Sequence, residues 1–194
     1  MRPLKLLTFE AVVGLLREHF RGLDRERDQH RAEYLLSDIL LSGFALFFFQ
    51  DPSLLQFQER LVRKKGRSNL HSMFGVREVP KESQLRERLD SVEPERVRCL
   101  LPVLFGEVRR VGWSREWKQE ISEGREAGSY YVMALDGTDY FSSEAISCPQ
   151  CLVRRDTSGE IHYRHTVVAG TAVKSGSHQV LPLDAEICWR AGRE

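Results

Sequence analysis

The change in residue pattern near positions 118–128 is the feature that most constrains the fold of this chain. Before it, apolar residues recur at helical spacings, as Leu35, Ile39 and Phe47 do in one segment. After it, short runs of β-branched and aromatic residues alternate with turn sequences such as DTSG (156–159). The pattern predicts an α+β protein, with a helical N-terminal region over 1–127 and antiparallel strands over 128–194.

The predicted elements follow from the same periodicities. Helices are expected over 31–49, 53–64, 80–92 and 93–112. In the last of these, Pro102 should kink or interrupt the helix because proline lacks a backbone N–H. Three or four antiparallel strands are expected, drawn from 130–137, 146–155, 160–173 and 178–187.

Composition excludes several classes of protein. The net charge is only +1, so no overall field indicates a nucleic-acid partner, and only a local basic patch could. The most apolar run, 39–49, is shorter than the roughly 20 residues that a membrane span needs. Four cysteines without an export signal are typical of a reducing compartment. We therefore expect a cytoplasmic chain without a membrane partner.

Asp136 follows the apolar run YYVMAL and precedes Gly137. Asp-Gly is a common hairpin dipeptide, so a turn is one interpretation. The other is a carboxylate that a buried strand delivers to a Mg²⁺ site, since Mg²⁺ prefers oxygen ligands. A two-metal site needs several acidic ligands, so partners must come from elsewhere. Strand alternation puts Asp139 on the opposite face from Asp136.

Two further clusters could bind partners. Cys148 and Cys151 form C-P-Q-C, with His162 and His165 downstream, a spacing close to that of zinc sites. Alternation along a strand allows at most one of these histidines to join the cysteines, and two reduced thiols in a hairpin are the alternative. The densest basic cluster could contact DNA phosphates or form a solvated helix end. It comprises Arg60, Arg63, Lys64, Lys65 and Arg67.

Several stretches, taken in order, resemble one family. They are DPSLLQFQERL, NLHSMFGVREVPKESQLRERLDSVEPERVR, ALDGTDYFSS, ISCPQCL, HYRHTVVAGTAV and QVLPLDAE. Together they resemble the N-terminal part of DDE-type transposases of bacterial insertion sequences, over about residues 25–186. The resemblance implies a ribonuclease-H-like domain over 128–194 whose first strand ends in the first catalytic aspartate.

The resemblance also implies a chemistry. Such enzymes use divalent ions, here Mg²⁺, to activate water and then a DNA 3′-hydroxyl for strand cleavage and joining at the element ends. Asp136 matches the first catalytic, metal-binding aspartate. Cys148 and Cys151 match a cysteine pair of the family, and their binding of zinc is left open.

The family's second aspartate and its glutamate have no counterpart in this chain, and Glu186 does not match the glutamate. We therefore expect a truncated transposase with an incomplete antiparallel sheet, an uncovered face and no activity of its own. Region 1–127 would bind DNA ends or mediate a homo-oligomer or a mixed oligomer with intact transposase. The alternatives are a non-catalytic DNA-binding or regulatory product of a mobile element and a small zinc-binding adaptor.

Overall fold

The computed structural model describes residues 7–26 and 34–189, without the side chains of 25–26 and 64–68. The chain divides into two compact units, Met1–Pro94 and Glu95–Glu194. The division falls inside the predicted helical region 1–127, so the last predicted helix belongs to the same unit as the strands. Within the described ranges, no helix has the length and apolarity needed to cross a membrane.

The first unit is helical. Its helices are α1 (Phe9–Glu26), α2 (Leu36–Phe48), α3 (Leu54–Val62), α4 (Lys64–Phe74) and α5 (Glu82–Asp90). Helix α1 buries Val13, Leu16 and Phe20, whose spacing of three and four residues forms one apolar face. The helices predicted over 31–49, 53–64 and 80–92 are confirmed by α2, α3 and α5. Helices α1 and α4 lie in the region predicted to be helical but were not predicted as individual elements.

Two buried carboxylates satisfy backbone groups in this unit. Asp24 accepts a hydrogen bond at 3.0 Å from the N–H of Ser37, in the first turn of α2. Asp38 accepts the N–H groups of Arg77 and Glu78 at 3.2 and 3.3 Å. Burial raises the pKa of Asp38, although these two hydrogen bonds act in the opposite direction. Asp38 thereby ties the segment after α4 to α2.

The second unit combines two helices, a 3-10 helix and a sheet. In chain order they are α6 (Glu95–Arg98), α7 (Leu100–Arg110), the 3-10 helix Trp113–Trp117, β1 (Lys118–Ile121), β2 (Gly128–Ser143), β3 (Leu152–Arg155), β4 (Ile161–Val173) and β5 (Val180–Cys188). Pro102 lies in the first turn of α7, just after the break at Cys99, which confirms the predicted interruption.

The sheet is antiparallel, which confirms the α+β prediction. Its strand order is β1-β2-β4-β3, and β5 also pairs with β4. Strand β4 is long enough to pair along one edge with β3 over 161–164 and with β5 over 166–173. Its other edge pairs with β2. The strands therefore number five rather than three or four, and β1 lies within the region predicted to be helical.

Strand β2 corrects one prediction. The strand was expected to end at Asp136, but it continues to Ser143, and Asp136 and Gly137 pair with Ala169 and Val168. The hairpin interpretation of Asp-Gly is therefore wrong, because a hairpin turn needs its flanking residues to pair with each other. Strand β2 exposes Val132 and Leu135, which point to opposite faces of the sheet.

Candidate functional site

Asp136 lies near the middle of β2 with an exposed side chain. Its cross-strand neighbour is Ala169 on β4, whose own neighbour on β5 is Ala185. Residues in such a row point to the same face, so the cross-strand neighbour of the carboxylate on that face is the methyl group of Ala169. It makes no hydrogen bond or ion pair with any described residue. The site is therefore open and leaves the carboxylate oxygens available to an external ligand.

The carboxylates of β5 point to the other face. Asp184 pairs with Gly170, in the row next to that of Asp136. Arg98 at the end of α6 donates two hydrogen bonds of 2.9 Å to Asp184 and forms a 2.7 Å ion pair with Glu186. These hydrogen bonds lower the pKa of Asp184. Asp184 and Glu186 are bound by arginine and cannot join Asp136 in one metal site.

The carboxylate of Asp139 is also hydrogen-bonded. Arg164 and Thr166 on β4 both donate hydrogen bonds to its carboxylate. The hydroxyl of Thr166 is the main reason that the pKa of Asp139 is lowered. Asp139 pairs with Thr166 and Asp136 with Ala169, three positions apart, so the two carboxylates lie on opposite faces, as predicted from strand alternation.

The predicted cysteine pair meets one histidine. The thiol of Cys148 lies 3.5 Å from that of Cys151 and 3.3 Å from Nε2 of His165. The distance from the Cys151 thiol to the same nitrogen is 3.1 Å. Cys148 is exposed and Cys151 is buried. His165 is therefore a candidate ligand. The sequence indicated that only one of His162 and His165 could join the cysteines, but it did not indicate which one.

The other histidine faces away. His162 lies 3.4 Å from a carboxylate oxygen of Asp156 and 3.8 Å from one of Glu144. This confirms that His162 and His165 project to opposite faces of β4. The hydroxyl of Tyr140 lies 3.3 Å from Nδ1 of His165. Burial raises the pKa of Tyr140, so its phenol stays protonated at neutral pH.

The basic cluster belongs to the first unit and is only partly described. Arg60 forms a 2.7 Å ion pair with Asp51, and its guanidinium lies 5.0 Å from the ring centroid of Phe49. Arg63 is exposed at the junction of α3 and α4. The side chains of Lys64, Lys65 and Arg67 lie outside the described residues. Because Arg60 is already paired, its contribution to a phosphate-binding surface is reduced.

Comparisons with protein-family models, curated proteins and solved structures found no match. Within 7–26 and 34–189, two groups of metal-ligating side chains converge. One is Cys148, Cys151 and His165, and the other is Glu144, Glu160 and His162, of which the two glutamates are exposed. Asp136 belongs to neither. A two-metal centre needs several acidic ligands, so the described residues do not form one by themselves.

Proposed function

We propose that this chain is part of a DDE-type transposase and that Asp136 is the first carboxylate of its DNA cleavage and joining site. The observation that carries the proposal is that the Asp136 carboxylate is exposed and has no partner among the described residues. Asp139 and Asp184 are held by hydrogen bonds from β4 and α6, whereas Asp136 is exposed, flanked by alanine and unpartnered among the described residues. A carboxylate that must take up a divalent cation needs such open surroundings.

The architecture supports the same proposal. Asp136 is on the first long strand of an antiparallel sheet, β2, and this sheet follows a helical region. A ribonuclease-H-like domain with an aspartate on its first strand is what the resemblance of the sequence implies. The position of Asp136 within the strand, rather than at its end, still directs the carboxylate to one face of the sheet.

The proposal assigns Mg²⁺ to the assembled site, where it would supply the charge that stabilises phosphoryl transfer. Within this chain, Asp136 offers two ligand oxygens, and the further acidic ligands would come from outside the described residues. The chain is thus not expected to cut DNA unaided. Its partners would be the DNA ends of the element and further transposase subunits in the cytoplasm.

The test needs two proteins. The first is the chain itself, and the second is a longer protein obtained by joining its coding region to the downstream DNA in the frame that encodes a strand aspartate and a helix glutamate. We expect the longer protein to nick DNA carrying the element ends only with Mg²⁺, and Asp136→Asn to abolish nicking. Asp139→Asn is the matched control, since its carboxylate lies on the opposite face and should leave nicking largely intact.

Two results would contradict this reasoning. Mg²⁺-dependent nicking by the chain alone, lost on Asp136→Ala, would show that one described carboxylate is sufficient. Nicking by the longer protein that survives Asp136→Asn would remove Asp136 from the site.

A second candidate is a non-catalytic DNA-binding or regulatory product. It is favoured by the exposed Arg63 beside a run of basic residues and by the lack of a complete acidic site among the described residues. Gel-shift assays with the element ends should then show binding that weakens steeply with salt. Arg63→Glu should weaken it further, whereas Arg60→Glu should also disturb α3 through its pair with Asp51. Binding that ignores salt and both charge reversals would exclude this candidate.

A further inference from the structure

The thiols of Cys148 and Cys151 and the imidazole of His165 converge on one point next to β4. We propose that they bind a zinc ion, with Sγ of both cysteines and Nε2 of His165 as ligands. The three donor atoms are 3.1–3.5 Å apart. A tetrahedral zinc with Zn–S of about 2.3 Å and Zn–N of about 2.0 Å separates its ligands by about 3.5–3.8 Å. The donors therefore need to move apart by only a few tenths of an ångström.

The local backbone is built to present both thiols. Cys148-Pro149-Gln150-Cys151 forms a turn in which the N–H of Cys151 donates to the carbonyl of Cys148 at 3.1 Å. Proline suits the second position of such a turn because its φ is preset. The N–H of Cys148 donates to Sγ of Cys151 at 3.2 Å. A hydrogen bond to sulfur stabilises the thiolate, which is the form that binds metal.

The histidine is oriented for the same role. With Nε2 as the ligand, the proton of the neutral ring is on Nδ1, which faces the Tyr140 hydroxyl at 3.3 Å. Metal-binding histidines almost always donate their second ring N–H to an oxygen in this way, which sets the tautomer and the ring plane. The rings of Phe141 and Trp189 flank His165 with centroids at 5.5 and 6.2 Å. The Tyr140 hydroxyl and these two rings thus hold the imidazole of His165 in place.

The number of ligands defines the kind of site. In the part of the chain that the structure describes, no fourth donor joins the three. Structural zinc sites have four protein ligands, and sites with three keep one position for water or another molecule. Cys148 is exposed, so solvent can reach the site from the side of this thiol. The zinc ion would hold the connection between β2 and β3 against β4, and it would keep one exchangeable ligand.

The site is separate from Asp136. His165 and Ala169, the neighbour of Asp136, are four residues apart on β4, about 13 Å along the strand. Zinc binding therefore requires neither DNA nor Mg²⁺, and it does not depend on the proposed function.

The experiment measures metal content and ligand type directly. The full chain is purified under reducing conditions without a metal-binding tag, and zinc is quantified by mass spectrometry. About one zinc per chain is expected. Replacement by Co²⁺ should give the intense visible absorption of tetrahedral cobalt together with a thiolate-to-cobalt charge-transfer band. Cys148→Ser is the main thiol variant because Cys148 is exposed and its replacement should spare the fold.

Matched controls separate this site from unspecific binding. His165→Gln should weaken zinc binding at least tenfold, and Tyr140→Phe about tenfold, as typical for the loss of a histidine's hydrogen-bond partner. His162→Gln and Cys188→Ser replace a histidine and a cysteine outside the cluster and should change nothing. The far-UV circular dichroism of each variant shows whether it is folded.

Three outcomes would overturn the proposal. They are the absence of zinc and of a tetrahedral cobalt spectrum from the folded parent chain, equal losses for the His165 and His162 variants, and conversion of the two thiols to a disulfide without metal uptake. None of these bears on Asp136, so the zinc site can fail while the transposase proposal stands. The converse also holds.

Discussion

Phe74, the last residue of α4, is the centre of an aromatic cluster in the first unit. Its side chain is fully buried, and four rings approach it edge-on with centroids at 5.5–5.9 Å, those of Phe9, Phe44, Phe48 and Phe49. Truncation of a buried phenylalanine to alanine costs about 3–5 kcal/mol. The four edge-to-face contacts place Phe74 in the upper part of this range, near about 4–5 kcal/mol, because the cost of truncation already includes the lost ring contacts. Phe74→Leu, which retains much of the volume, should cost about 1–2 kcal/mol.

The matched control is Phe47, a phenylalanine of α2 whose side chain is 78% exposed. Phe47→Ala should change the free energy of unfolding by no more than about 0.5 kcal/mol. Urea titration followed by far-UV circular dichroism reports on the helices. Fluorescence reports on the second unit, because all three tryptophans lie between Glu95 and Glu194.

The reasoning would be refuted if Phe74→Ala cost less than about 1 kcal/mol, or if Phe47→Ala were equally destabilising. Because a domain's stability is typically about 5–15 kcal/mol, the Phe74→Ala loss would leave the first unit marginal. The basic residues of α4 precede Phe74 on the same helix, so this variant should also weaken any DNA binding that depends on them.

Further predictions concern the turns and helix ends. Asp156 has a pKa lowered to about 2, chiefly by the hydroxyl of Ser158, so its stabilising effect is present above pH 3.8 and is lost as the pH falls towards 2. Ser158→Ala should raise this pKa towards 3.8 in an NMR titration, and an unchanged value would contradict the assignment. Gly75 ends α4 with φ of +67°, so Gly75→Ala should destabilise by about 1–2 kcal/mol in urea titrations. Gly14→Ala, in an open and exposed position of α1, should instead stabilise by up to about 1 kcal/mol, and equal effects of the two would argue against this account.

Much of the local structure could be predicted from the sequence. Helical periodicity located α2, α3 and α5, and the break near Pro102 followed from the missing N–H of proline. Helix α4 was missed because its sequence, KKGRSNLHSMF, is mostly polar and contains a glycine. Its helix is anchored through the burial of Leu70 and Phe74, which short-range periodicity does not reveal.

The candidate site was only half predictable. Strand alternation correctly separated Asp136 from Asp139 and His162 from His165, because it depends only on the geometry of one strand. The choice of His165 over His162 depends on which face the C-P-Q-C turn approaches. The hydrogen bonds from Arg98 to Asp184 join residues that are 86 positions apart, and no local sequence pattern predicts them.

By itself, then, the sequence determined most of the helices and strands, which side chains of a strand share a face, and that Asp136 and the cysteine pair are candidates for metal chemistry. Only the tertiary structure decided that β2 continues past Asp-Gly, that His165 completes the cysteine pair, and that Asp184 and Glu186 are bound by arginine. The physical reason is the range of the interactions. Alternation and periodicity are properties of a few neighbouring residues, whereas strand pairing and ion pairing depend on partners that only the folded chain brings together.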